Sequence, residues 1–267
     1  MKTEPIAIAL HGCAGRMGVR LLQLIAADPR LRLAAAIDRP GHPSQGQDAG
    51  GLAGLEKLGV VVTDRLIAKA DAAIDFSAPA ASLSFANDCA KAGIPLAVGT
   101  TGFSPTERQA LLKHAEQIPI LLSANFSKAV NLLAFLAAQA ARVLGSDADV
   151  EIVERHHHFK KDAPSGTALR LAEVVARELG LDANAYVHGR AGEVGERPQA
   201  QIGLHALRTG DNPGEHTVVF GLMGECLELS HRALNRDGFA RGAIDAARFL
   251  VDKAPRVYDM GDLLGFA

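Results

Sequence analysis

A chain of 267 residues with 48% hydrophobic and 22% charged residues has the balance of a folded globular protein, and it is long enough to bury a core without disulfides or metals. Its 28 basic and 30 acidic residues leave a formal charge of −2, which gives no bulk pull toward nucleic acid or an anionic membrane. Aromatic residues at 4%, with no Trp, also argue against a base-stacking platform and a membrane-interface belt.

In chain order, Ile6-Ala7-Ile8-Ala9-Leu10 is a short apolar run ending at a glycine-rich turn, as in a buried parallel strand. Met17, Leu21, Leu24 and Ile25 then share one helix face, and Asp28-Pro29 ends that helix. Leu31–Ile37 reads as a second strand, and 39–59, rich in Gly, Pro, Ser and Gln, reads mostly as loop. Val60–Thr63, Ala72–Phe76, Leu96–Val98 and Ile118–Leu122 are further strand candidates, with helix-like segments between most of them. Ser104-Pro105-Thr106-Glu107 is a capping-box signature that opens one of those helices. Repeated strand–helix–strand units with short buried strands predict a doubly wound parallel sheet.

The pattern changes after Asn125-Phe126-Ser127. A long helix from Lys128 to about Leu144 comes next; its apolar stretch is broken by Asn131, Gln139 and Arg142 and reads as too short to span a bilayer. A strand from Val150 to about Arg155 leads into a polar loop and a helix opened by Ser165. Thr217–Phe220 and Leu227–Ser230 flank Gly224 as a hairpin, among later segments expected to be antiparallel strands. The prediction is a second, α+β domain over 128–237, with 1–127 and a returning final helix in 238–267 forming the first. Cys13, Cys89 and Cys226 are odd in number, far apart and in no metal-ligand spacing. With no leader pattern at the start of the chain, they read as reduced thiols of a cytoplasmic protein.

Two segments carry chemistry. Gly12-Cys13-Ala14-Gly15-Arg16-Met17-Gly18 joins the first strand to the first helix, where backbone amides can meet a pyrophosphate. Ala14 stands where the dinucleotide fingerprint has its middle glycine. Position strengthens the pattern, because Asp38 follows at the end of the second strand, where a carboxylate can bind both ribose hydroxyls. The bland alternative is a glycine turn with no ligand. Arg39 beside Asp38 either suits a 2′-phosphate or decorates a loop, so NADH and NADPH both stay open. Gly99-Thr100-Thr101-Gly102 and Ser123-Ala124-Asn125-Phe126 follow later strands at the ends where such sheets bind ligands.

The second segment is Glu154-Arg155-His156-His157-His158-Phe159-Lys160-Lys161-Asp162-Ala163-Pro164-Ser165-Gly166-Thr167. As a metal site it is poor, since on an extended segment only His156 and His158 point the same way. As a solvated charge run it would be ordinary. The sharper reading joins a histidine proton donor, the cation Lys160 and a helix start able to bind a carboxylate. That is equipment for reducing a small carboxylated substrate.

Gly12–Gly18, Asp75-Phe76-Ser77, Gly99–Gly102, Ala124-Asn125-Phe126-Ser127, His156–Thr167, Gly214-Glu215-His216-Thr217 and Phe239-Ala240-Arg241-Gly242-Ala243 run along nearly the whole chain in an order that resembles the 4-hydroxy-tetrahydrodipicolinate reductase (dihydrodipicolinate reductase) family of the diaminopimelate route to lysine. The resemblance implies a Rossmann-type domain and a second domain whose mixed or antiparallel sheet builds a homotetramer. It implies an NADH- or NADPH-dependent oxidoreductase acting on a cyclic dicarboxylate, with no metal. By the family's motifs His156 is the general acid and Lys160 a second proton donor, while His157, Gly166 and Thr167 touch substrate. Gly12, Cys13, Ala14, Gly15, Arg16, Met17, Asp38, Arg39, Gly99, Thr100, Thr101, Ser123, Ala124, Asn125 and Phe126 line the dinucleotide. Asp38 replaces the common Glu, and Ala78 stands where some members carry a basic residue; both bear on cofactor preference. His158 and Lys161 match no role and are expected to face solvent. Two rivals remain at this point. One is a dehydrogenase for a small oxo or semialdehyde substrate, although no Cys lies between Cys89 and Cys226 to act as an acylating nucleophile. The other is a dinucleotide sensor without catalysis.

Overall fold

The computed structural model describes residues 4–266. The chain forms two compact units: one runs to Lys128 and resumes at Arg236, and the other is Ala129–Asn235.

The first unit alternates β1 (Ile6–His11), α1 (Arg16–Ala27), β2 (Leu31–Ile37), a single turn α2 (Ala49–Leu52), β3 (Val62–Thr63), β4 (Ala72–Asp75), α3 (Pro79–Ala92), β5 (Leu96–Val98), α4 (Pro105–Lys113) and β6 (Ile120–Leu122). The second unit begins within α5 (Lys128–Leu144) and continues through β7 (Asp149–His156), α6 (Gly166–Glu178), β8 (Tyr186–His188), β9 (Ile202–Arg208), β10 (Glu215–Leu222) and β11 (Glu225–Arg232). The chain then returns to the first unit as α7 (Asp237–Leu250), β12 (Val257–Tyr258) and α8 (Met260–Leu264).

Seven parallel strands in the order β12-β6-β5-β4-β1-β2-β3 make the first sheet. Its strands are apolar on both sides because helices cover both faces. Ile8, Leu10, Ile74 and Leu121 pack with α1 and α7, while Ala9, Ala73, Leu96 and Ile120 pack with α3 and α4. The order reverses between β1 and β4, the position where sheets of this Rossmann-like kind hold ligands. Ser104 caps α4 with the reciprocal Glu107 bond that the sequence predicts. The stretch 39–59 is loop except for α2, which Asp48 caps by accepting from the Gly50 amide.

In the second unit a mixed sheet, β11-β10-β7-β9-β8, packs one face on α5 and α6. The β10–β11 hairpin forms as predicted. However, β9 and β8 pair in parallel with their neighbours, against the antiparallel expectation, and β8 and β9 are not evident in the sequence. Gly203 weakens the strand signal of β9; a Cβ there would lie 1.7 Å from the Glu151 carboxylate as placed, so a side chain would have to displace it. The α5 helix also runs on through a 3₁₀ turn to Asp147, giving 20 residues that are long and apolar enough to cross a membrane by length and composition. The sequence reading missed that turn and took the stretch as too short. Its Leu133, Ala137 and Ala141 stripe is core of the second unit.

Gly242 brings α7 against the chain leaving β6, where a Cβ would fall 1.8 Å from the Phe126 carbonyl oxygen. Gly242→Ala gains helix propensity worth about 1 kcal/mol. It forces a backbone shift in a packed core that costs about 1–3 kcal/mol. The urea midpoint of this variant therefore falls; an unchanged or higher midpoint would mean that α7 moves away freely.

Candidate functional site

In the first unit, the predicted cofactor residues gather at the carboxyl ends of β1, β2, β5 and β6. Gly12 has φ +76, and a Cβ there would sit 2.2 Å from the Phe76 carbonyl oxygen, so the turn needs glycine on two counts. A Cβ on Gly18 would meet the Gly12 carbonyl at 2.1 Å, which seats α1 directly on the turn. No side chain caps the start of α1 and no acidic residue lies in its first turn. Asp38 Oδ2 accepts from the Ala14 amide at 2.8 Å and Oδ1 from the Arg39 amide at 2.9 Å, so the carboxylate is held at the lip of the glycine turn.

Behind this turn lies a buried carboxylate. Asp75, fully buried at the end of β4, accepts from His11 Nδ1 (2.7 Å) and Ser77 Oγ (2.6 Å) on one oxygen. On the other it accepts from Ser82 Oγ (2.5 Å) and Thr100 Oγ1 (2.7 Å). Thr100 Oγ1 in turn accepts from the Ser77 amide at 2.8 Å. Thr101 and Ala124 are exposed, whereas Cys13 and Phe126 are buried. Burial, then the Asp38 charge, pushes the Cys13 thiol up to about 12, so it is an inert core group. The Phe126 ring packs 5.8 Å from Phe76, whose own ring fills the space a side chain on Gly99 would take.

In the second unit, β7 alternates buried and half-buried residues, and the buried face changes character along its length. Val150 and Ile152 belong to the apolar core, and Glu154 and His156 continue the same row. His156 Nδ1 lies 2.6 Å from Glu154 Oε2. Arg208, at the end of β9, donates to both Glu154 oxygens at 2.9 Å, and the Ser165 amide donates to Oε1 at 3.0 Å. Ser165 caps α6 through the Ala168 amide, and its hydroxyl lies 3.3 Å from His216 Nε2. The His216 ring stands edge-on to His156 at 5.2 Å. Gly166 and Thr167 form the first turn of α6, with open space beside Gly166. His157 is half-buried and its amide donates to the Asn212 carbonyl at 2.8 Å. Lys160 is held by both oxygens of Asp162 at 2.8 Å, a neighbour the sequence reading left out. As the pair reaches solvent, it is worth little and can part. His158 and Lys161 are exposed, and the His158 ring lies tilted against Phe159 at 3.7 Å. Among the described residues, no group of three or more His, Cys, Asp or Glu is placed to hold a metal ion.

Burial lowers His156 below the usual histidine value, and Lys160 and Arg208 act the same way against the opposing pull of Glu154. Burial alone would raise Glu154, yet the bonds from Arg208 and His156 hold it below the carboxylate range. His216 is pushed down to about 3, chiefly by burial and then by His156 and His231.

Two family models match, described as the N-terminus of dihydrodipicolinate reductase over residues 6–126 and its C-terminus over 129–264. The chain belongs to the dihydrodipicolinate reductase family. It is 50% identical over 262 residues to the 4-hydroxy-tetrahydrodipicolinate reductase of Anaeromyxobacter dehalogenans (strain 2CP-1 / ATCC BAA-258), covering 97% of each chain. The enzyme of that name from Halorhodospira halophila is 47% identical over 264 residues, 97% of this chain and 99% of the other. A dipicolinate-bound dihydrodipicolinate reductase from Paenisporosarcina sp. TG-14 shares the fold, with TM-score 0.75 at 22% identity over 97% of this chain and 98% of that one. A dihydrodipicolinate reductase family member is a nucleotide-dependent oxidoreductase, and the family's reaction is a reductive step of lysine and diaminopimelate synthesis.

Sequence reasoning missed Asp75, His11, Glu154, Arg208 and His216 as site residues. Asp75 and His216 lie in motifs quoted for the resemblance, but each of the five has at least one partner distant in sequence. The histidines also predict an acid-labile second unit. A histidine whose folded pKa lies below its unfolded value of about 6.5 stabilises the fold fully above that pH and less as pH falls toward the folded value. His216, His156 and His231 all shift this way, and carboxylates begin to contribute only near 4.5 and below. The melting temperature therefore drops between pH 6.5 and 4.5, and His216→Gln flattens that slope. An equally steep slope in the variant would count against it.

Proposed function

We propose that this protein catalyses NADH- or NADPH-dependent reduction of 4-hydroxy-tetrahydrodipicolinate, or the dihydrodipicolinate formed from it, to tetrahydrodipicolinate. The observation that carries the reading is the grouping of His156 and the open start of α6 around one buried carboxylate, with the Lys160 charge acting on His156, in a chain whose other unit has a dinucleotide turn.

The first unit fits an adenine dinucleotide. The α1 start is uncapped beside the Gly12 turn, as a pyrophosphate requires, and the Asp38 carboxylate is oriented for a ribose diol. Bound reduced nicotinamide supplies a hydride, which we assign to C4 of the conjugated cyclic imine. Around the substrate, the Gly166 and Thr167 end of α6 takes one carboxylate through the positive end of the helix. His157 touches the ring, and Lys160 swaps Asp162 for the substrate, where its charge offsets the electron density that develops. His156 Nε2 then gives its proton to the enamine carbon, and the Glu154 carboxylate faces the resulting imidazole at Nδ1.

We also assign a homotetramer in the cytoplasm, built on the sheet of the second unit. The face opposite α5 and α6 carries Val153, Thr217 and Val219, half-buried in the single chain. Light scattering then gives four times the 28.0 kDa chain mass, and Val219→Arg lowers it. A monomer at micromolar concentration would refute this assembly.

The reaction is tested by making the unstable substrate in place from pyruvate and aspartate semialdehyde with its synthase, then following loss of nicotinamide absorbance with NADH and NADPH separately. His156→Gln and Lys160→Ala each lower kcat by about 10²-fold or more while dinucleotide affinity stays near normal. Unchanged turnover in both variants would remove the assigned roles, and no oxidation with either dinucleotide would remove the reaction.

A further inference from the structure

We infer that Glu154 and Arg208 form a positioning pair that fixes the ring orientation and proton state of His156 and ties that histidine to the carboxylate-binding start of α6. The inference rests on the general-acid role proposed above for His156.

Three buried residues, Glu154, His156 and Ser165, meet the half-buried Arg208 in one place. Glu154 is 1% exposed and sits one strand repeat before His156 on the same face of β7. Its Oε2 faces His156 Nδ1, its Oε1 takes the Ser165 amide, and the Arg208 guanidinium bonds both oxygens. The amide of Ser165 is the capping residue's own, so the carboxylate that faces the histidine also sets where the first turn of α6 begins. A carboxylate at Nδ1 favours the tautomer with the proton on that nitrogen and leaves Nε2 as the working atom. Nε2 has no hydrogen-bond partner among the described residues and stands against Gly214, where a Cβ would lie 2.9 Å away.

Arg208 prevents Glu154 from acting as a simple base toward His156. Alone, a buried carboxylate 2.6 Å away would hold the imidazolium so strongly that proton release from it would be costly. The guanidinium shares both oxygens and opposes the positive form of His156. Other charged or titratable groups facing His156 are Lys160 from the following loop and His216 from β10. Neither touches Glu154 by a hydrogen bond, so the two charges can be varied separately from them.

The test is a pair of opposite shifts. Activity that needs protonated His156 is lost as pH rises through its pKa, and the profile of kcat/KM reports that midpoint for the free enzyme. Glu154→Gln removes the anion that favours the imidazolium and moves the midpoint down by about one pH unit. Arg208→Gln removes the opposing cation and moves it up by a similar amount, while Arg208→Lys keeps it near the parent value. Nitrogen-15 NMR of His156 reads the same titration and its tautomer without turnover, and the melting curve confirms that each variant is folded. A midpoint and tautomer unchanged in the folded variants, or shifts in one direction for both substitutions, would overturn the inference. Should Glu154→Gln not fold, the two Arg208 variants decide it. Failure of the underlying reading looks different: His156→Gln would then keep both its turnover and the parent pH limb, whatever NMR reports about the pair.

Discussion

A charge buried away from water is tolerated only if nearly every lone pair is taken, and the first unit is organised around one such group. Asp75 holds four side-chain donors from β1, the turn after β4, α3 and the segment after β5. The strands themselves are short, β4 having four residues and β5 three, so their backbone ladders alone position the ends loosely. The carboxylate converts those ends into one rigid cluster on the edge of the crevice where the sheet order reverses. Each oxygen accepts two of these bonds, so a change that removed one donor would leave that oxygen with a single partner, at a cost of about 1 kcal/mol or more.

The second unit repeats the device with different chemistry. Glu154 occupies the end of a strand, is as buried as Asp75, and gathers donors from three segments. Its donors include a histidine able to lose and gain a proton, which makes the hub a working part as well as a brace. On the opposite face of the same sheet Glu151 collects Arg190, Arg197 and His205, and those bonds hold its carboxyl at about 2 despite burial. That network ties the long polar segment before β9 down onto the sheet. Two carboxylates three residues apart on one strand thus brace opposite faces.

Much of this was legible in the residues. Short apolar runs of three to seven residues with helical periodicity between most of them specify the parallel sheet, and Ser104 and Ser165 mark helix starts that the structure forms. The Gly12 turn and the His156 loop announce themselves because their chemistry is local. The hubs do not. His11 and Asp75 are 64 residues apart, and Glu154 and Arg208 are 54 apart; pairing of that range leaves no local pattern. The parallel β9 was hidden for a related reason, since its glycine answers to a carboxylate on another strand.

The division of the first unit along the chain has a consequence for its making. Ala240, Ala243, Ala246, Ala247 and Leu250 of α7 are core residues of that unit, packed with Ile8 and Leu10 near its beginning. The second unit is continuous and complete at Asn235. During synthesis, the ribosome therefore presents an unfinished parallel sheet for the whole time that residues 129–235 are being made. The unit begun first closes last, with the face that α7 shares with α1 only partly covered until α7 emerges. In that interval nascent-chain chaperones have most to protect.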